Sequence, residues 1–85
     1  MKPEKLLVRI QTARSNVRFS DLVRLIEAMG FVLLDIEGSH HLFEHRVHKR
    51  ARLNIQNVRG EAKPYQVKQF LEKVEEYDLR IEDEQ

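Results

Sequence analysis

The sequence contains no cysteine, only two prolines and three glycines, and six aromatic residues in 85. Without thiols, neither a disulfide framework nor a zinc–thiolate centre can hold the chain together, so stability has to come from packing. Long apolar runs are missing as well. Met29 to Leu34 is interrupted only by Gly30, and Leu22 to Ile26 by Arg24, both far short of the ~20 residues of a membrane-crossing helix. No apolar stretch and no small-residue cleavage site follow Met1-Lys2-Pro3-Glu4-Lys5. A signal peptide is therefore not expected, and a cytoplasmic location without a membrane partner is the default. A chain of this length supports one modest core, so any functional surface is a face of a single domain, expected over residues 1–81.

Charge is present but unevenly spread. The formal net charge is +1, yet residues 1–30 carry six basic against three acidic side chains, residues 31–60 five against three, and residues 61–85 four against eight. A basic front and middle can meet phosphate, whereas the acidic end around Glu82-Asp83-Glu84 cannot. The alternative is an ordinary solvated surface on which like charges happen to cluster.

Apolar spacing organises the chain. Leu6, Leu7 and Ile10 follow helical periodicity behind Pro3, which suits a first helical turn, and predict a helix over 3–13 within an N-terminal extension, 1–18. Ser20 reads as an N-cap for a second helix over 21–29, with Leu22, Leu25, Ile26 and Met29 as its core stripe and Gly30 as its C-terminal cap. Residues 31–37 then read as a strand with Val32, Leu34 and Ile36 on one face and Leu33, Asp35 and Glu37 on the other. After a Gly38-Ser39 turn, a second strand over 40–46 is expected, and a third over 52–57 alternating Leu53 and Ile55 against Arg52, Asn54 and Gln56. Residues 59–63 read as a loop. Pro64 opens a last helix with an apolar stripe of Val67, Phe70, Leu71 and Val74. The expected fold class is α+β, in the order α-α-β-β-β-α, with a three-stranded antiparallel sheet and its helices on one face. Leu79 and Ile81 can dock locally, and the acidic residues 82–85 are expected to be unstructured.

The sharpest chemical feature is Gly38-Ser39-His40-His41. A glycine there lets the backbone turn tightly and sets a hydroxyl and two imidazoles at a strand edge. Imidazole titrates near neutral pH and can take a proton from a ribose 2′-OH or give one to a leaving oxygen without a metal. Neighbouring residues on a strand face opposite ways, so His40 and His41 do not share one role. If Phe43 points to the helices, His41 goes with it and His40 lies on the open face with Leu42, Glu44 and Arg46. The opposite assignment turns Leu42 inward. A hydrogen-bonded turn histidine is the plain alternative to a catalytic one.

His40, His41, His45 and His48 fall within nine residues, but they match no usual zinc spacing, and no metal or other cofactor is expected. His45 and His48 read instead as solvated or as part of a basic strip, His45 to Arg52, to which Arg46, Lys49 and Arg50 belong and which Arg59, Lys63 and Lys68 can join in space. Such side chains neutralise phosphates without reading sequence. Phe19, Phe31, Phe43 and Phe70 read as core, leaving Tyr65 as the aromatic residue available for stacking on a base.

The turn Gly38-Ser39-His40-His41-Leu42-Phe43, behind a helix ending in Gly30-Phe31, resembles the HicA family of bacterial toxin components. The likeness continues through Leu53-Asn54-Ile55-Gln56-Asn57 and Lys63-Pro64-Tyr65-Gln66-Val67-Lys68-Gln69-Phe70-Leu71 and covers about residues 19–77. The resemblance implies a double-stranded-RNA-binding-domain-like fold, metal-independent ribonuclease activity on messenger RNA, a HicB-type antitoxin partner, and His40 as the catalytic histidine. Gly38 and Ser39 would orient the phosphate, with Arg46, Lys49, Arg50, Arg59, Lys63 and Lys68 as RNA-binding cations. Two departures stand out. Many relatives carry a proline and a further histidine in the third strand, where this chain has Asn54-Ile55-Gln56-Asn57, and the helix at 3–13 extends beyond the shortest members. Rival readings are a noncatalytic RNA-binding module of the same fold, and an interaction protein whose acidic end docks a basic partner.

Overall fold

Pro3 and Pro64 each open a helix in the computed structural model, which describes residues 2–82. The elements are α1 (Pro3–Thr12), α2 (Phe19–Ala28), β1 (Phe31–Glu37), β2 (His40–His45), β3 (Arg52–Val58), β4 (Glu61–Ala62) and α3 (Pro64–Glu76). The strands form one antiparallel meander in the order β1-β2-β3-β4. One core joins the sheet to the helices through Leu22, Leu25, Ile26, Phe43, Leu53, Ile55, Val67 and Phe70. This is the expected α+β arrangement, and it accords with the double-stranded-RNA-binding-domain-like layout that the resemblance implies.

Among the described residues the sheet has four strands rather than three. Glu61 and Ala62, expected in a loop, pair with Val58 and Asn57. Two residues are too few to display a strand's alternation, and tertiary contacts make the strand: the Ala62 N–H donates to the Val17 carbonyl, and Arg18 bridges to Glu61. The same contacts move the start of α2. Phe19 is buried and donates its N–H to the Gly60 carbonyl, so the helix begins at Phe19 with Arg18 at the cap position. Ser20, the expected N-cap, therefore lies inside the first turn.

β1 departs from simple alternation. Its pairing with β2 slips between Leu33 and Asp35, a bulge that leaves Leu34 as the extra residue. Val32, Asp35 and Glu37 then lie opposite Glu44, Leu42 and His40, while Leu33 and Ile36 lie opposite Phe43 and His41. Ile36 thus leaves the face of Val32, which a strict period of two would have them share.

α1 rests mainly on α2 rather than on the sheet, burying Leu6 and Ile10. After α3 the chain folds back over the helices: Leu79 is buried, Ile81 packs against the core, and the Glu82 N–H donates to the Ala28 carbonyl. Of the expected unstructured end, residues 83–85 lie outside the described residues.

Candidate active site

The β1–β2 turn is tight because Glu37 pairs with His40 across only two residues. Gly38 sits at φ +60, the left-handed region that a side chain adopts with strain, in the first central position of the turn. That geometry ends β1 and starts β2 with His40. Phe43 is fully buried and His45 is 5% exposed. Alternation from Phe43 therefore sends His41 toward the helices and His40 to the open face, the first of the two orientations considered from the sequence.

His40 is exposed, and its Nδ1 lies 3.0 Å from Asn54 Oδ1 on β3. An amide oxygen only accepts, so Nδ1 carries the proton in the neutral ring and Nε2 keeps a free lone pair. Nε2 has no hydrogen-bond partner among the described residues. A depression of about 60 Å³ beside the ring is lined by Asp35, Glu37, His40, Leu42 and Asn54.

His41 is different. Its ring stands edge-on to Phe19 at 4.7 Å, and its Nδ1 is buried without a hydrogen-bond partner among the described residues. His45, expected to be solvated or part of the basic strip, is instead a structural residue. Its Nε2 donates to the Met29 carbonyl at 2.9 Å, and its Nδ1 accepts the Val47 and His48 N–H groups at 3.1 Å each. Both nitrogens are thereby used in fixing the β2–β3 connection against the end of α2. His48 lies outside it, its ring 5.1 Å from His45 and 5.4 Å from Tyr77. Among the described residues no group of three or more potential ligands is placed to hold a metal ion.

The candidate RNA-binding residues fall into two groups. His40 pairs with Gln56, and the Asn57 N–H donates to the Ser39 carbonyl. Gly38, Ser39, Arg59 and Lys63 therefore gather at the His40 end of the sheet, with Lys68 one turn into α3. Arg46, Lys49 and Arg50 follow the other end of β2, roughly 17 Å away at the rise of an extended chain. Two of these three are already paired: Arg46 binds Glu82 at 2.7 Å, and Lys49 lies 3.8 Å from Glu44, which also binds Arg52 at 2.7 Å. The sequence suggested one continuous strip, and the strand's length separates it.

A concavity of about 800 Å³ runs between β3 and the outer side of α3 and includes Arg52, Asn54, Gln69, Lys73, Glu72, Glu75 and Glu76. Its three glutamates repel phosphate. No helix among the described residues is long and apolar enough to cross a membrane.

A family model for the HicA toxin of bacterial toxin-antitoxin systems matches residues 19–75, which span α2 through nearly all of α3. The chain belongs to the HicA toxin family. Members of this family are generally mRNA-cleaving toxins. Comparisons with curated proteins and with solved structures found no match. The matched span holds the turn and His40 together with Asn54, and it leaves α1 outside.

Sequence reasoning did not single out Asn54, Asp35 or Glu37. The only available signal was that Asn54 belongs to the polar face of its strand. Which residue of β2 it meets depends on the strand register, and no local pattern states that.

Proposed function

We propose that this HicA-family chain is a metal-independent endoribonuclease that cleaves mRNA with His40 as its proton-transfer group, and that a cognate HicB-type antitoxin neutralises it. The observation that carries this reading is the state of His40: an exposed imidazole whose Nδ1–H is engaged by Asn54, which leaves Nε2 available.

In the forward step, Nε2 takes the proton of a ribose 2′-OH while that oxygen attacks the adjacent phosphorus. The P–O5′ bond breaks, and the departing 5′ oxygen is protonated by solvent or by the imidazolium. The products are a 2′,3′-cyclic phosphate and a 5′-hydroxyl. Asn54 holds the ring in the tautomer and orientation this step needs, as an orienting group does for any base that works through one ring nitrogen. Ser39 and the backbone N–H groups of the turn supply hydrogen bonds for a phosphate oxygen, and Arg59 and Lys63 supply positive charge at the same end of the sheet.

His40→Ala is expected to reduce RNA cleavage by about 10² to 10⁴, the usual worth of general acid–base catalysis. RNA binding and the melting temperature should remain near those of the unmodified chain, because an exposed side chain with one hydrogen bond contributes little to stability. The measurement is cleavage of a labelled transcript beside a salt-dependent binding assay. Cleavage by the variant at the original rate would remove His40 from the mechanism, and binding without cleavage by the unmodified chain would make it an RNA-binding module instead.

A further inference from the structure

Among the described residues β1 ends the sheet, with no strand beyond it. Phe31 is buried, but the rest of the strand is open: Val32, Leu33, Leu34 and Ile36 are 39–51% exposed. An apolar edge of this length is a template for association, and soluble proteins ordinarily cover it or set charge on it. The charge present here has one sign. Asp35 and Glu37 take part in no ion pair among the described residues, and the contact made by the Asp35 carboxylate is to the N–H of Ile36 at 2.8 Å.

We infer that this edge is the docking surface for a protein partner whose contact segment alternates apolar side chains with lysine or arginine, and that the partner is the antitoxin; the inference rests on the toxin reading above. The carboxylates choose among occupants. A second copy laid antiparallel about Leu34 would collect four carboxylates in one small area, and RNA would find no cation along this apolar strand to hold its backbone. A basic, apolar segment satisfies both features. The bulge at Leu34 interrupts regular pairing, so side chains rather than an unbroken ladder carry the contact.

This position also gives inhibition a physical route. Glu37 lies directly across from His40, and both carboxylates line the depression beside its ring. A cation paired with them stands where the phosphodiester has to enter, so the partner blocks cleavage without bonding to the imidazole.

The test uses the full chain and, as probe, the purified product of the reading frame adjoining its gene, with affinity measured by calorimetry and transcript cleavage measured on the same preparations. The unmodified chain should bind the probe. Leu34→Lys combined with Ile36→Lys should weaken binding roughly tenfold or more, as loss of central interface residues does, with cleavage by the free variant unchanged. Asp35→Asn, a milder change, should weaken binding less and flatten its dependence on salt. Unaltered affinity in both variants would overturn the surface while leaving the partner standing. A dimer of the unmodified chain that the lysine pair dissociates would reassign the edge to a second copy. An unmodified chain that cleaves RNA but ignores the probe would overturn the partner and spare the nuclease, whereas one that does neither would defeat the proposed function itself.

Discussion

His40 and His45 stand at opposite ends of β2, and their surroundings differ in every respect that matters for proton transfer. His40 lies on the uncovered face, bonded through one nitrogen to a side chain of the next strand. His45 lies beneath the end of α2, with one nitrogen on the Met29 carbonyl and the other accepting two backbone N–H groups. An imidazole with a free lone pair and access to solvent can exchange a proton with a substrate. One with both nitrogens occupied serves to hold backbone in place. The nearby Gly30 shows how closely the second site is built: at φ +99, an added Cβ would come within 2.8 Å of His45 Nε2 and 2.6 Å of a Glu82 carboxylate oxygen. The lesson is that residue type does not assign chemistry; an unspent hydrogen-bonding position that solvent can reach does.

The contrast yields an ordered set of expected effects. The largest is the loss of cleavage in His40→Ala, with stability kept; a stable but still active variant breaks the comparison at once. Next, His45→Ala should cost about 2–4 kcal/mol of folding stability, because it deletes a packed ring and strands a buried carbonyl and two N–H groups. Urea unfolding measures this, and below the transition the variant should cleave RNA at the unmodified rate per folded molecule. If His45→Ala instead abolishes cleavage at full stability, the division of labour is reversed.

Asn54→Ala should lower kcat roughly tenfold, the worth of one hydrogen bond that keeps a ring aligned, with KM little changed. Asn54→Asp, which retains an acceptor at the same position, should restore part of the loss. A purely structural role for Asn54 would show as a change in stability with kcat intact.

The smallest effects concern the two cation groups. Removing Lys63 or Arg59, at the His40 end of the sheet, should reduce the salt dependence of RNA binding by about 0.7 per contact for a single strand. Lys49→Ala, at the His45 end, should alter it less, since that ammonium is already near Glu44. Equal slopes for both groups would mean that RNA spans the whole length of β2. Arg46 is a weak test of either outcome, because its exposed pair with Glu82 contributes only about 0–1 kcal/mol to the fold and competes with phosphate.

Much of this fold was legible in the sequence. The three helices, the boundaries of β1 and the hairpin turn followed from apolar spacing, two prolines and Gly38-Ser39, since these signals act through local backbone geometry and side-chain period. The direction in which His40 points was only half legible: a bulky phenylalanine three positions on favours one phase of a period-two strand, but the opposite phase, with Leu42 inward, stayed open until the burial of Phe43 decided it. Where the signal was longer in range, the reading failed. β4 exists through its contacts with Val17 and Arg18, the bulge at Leu34 exists through the pairing with β2, and the burial of His45 exists because the end of α2 closes over it.

The sequence by itself determined a small α+β domain with a glycine turn presenting an imidazole, because periodicity, capping and turn chemistry are properties of residues close together in the chain. Tertiary structure alone decided that Asn54 meets His40, that His45 is withdrawn from any reaction, that the basic residues divide between two ends of the sheet, and that β1 is left uncovered. Each of these depends on strand register and on which layer closes over which face, and those are set by the packing of distant segments against one another.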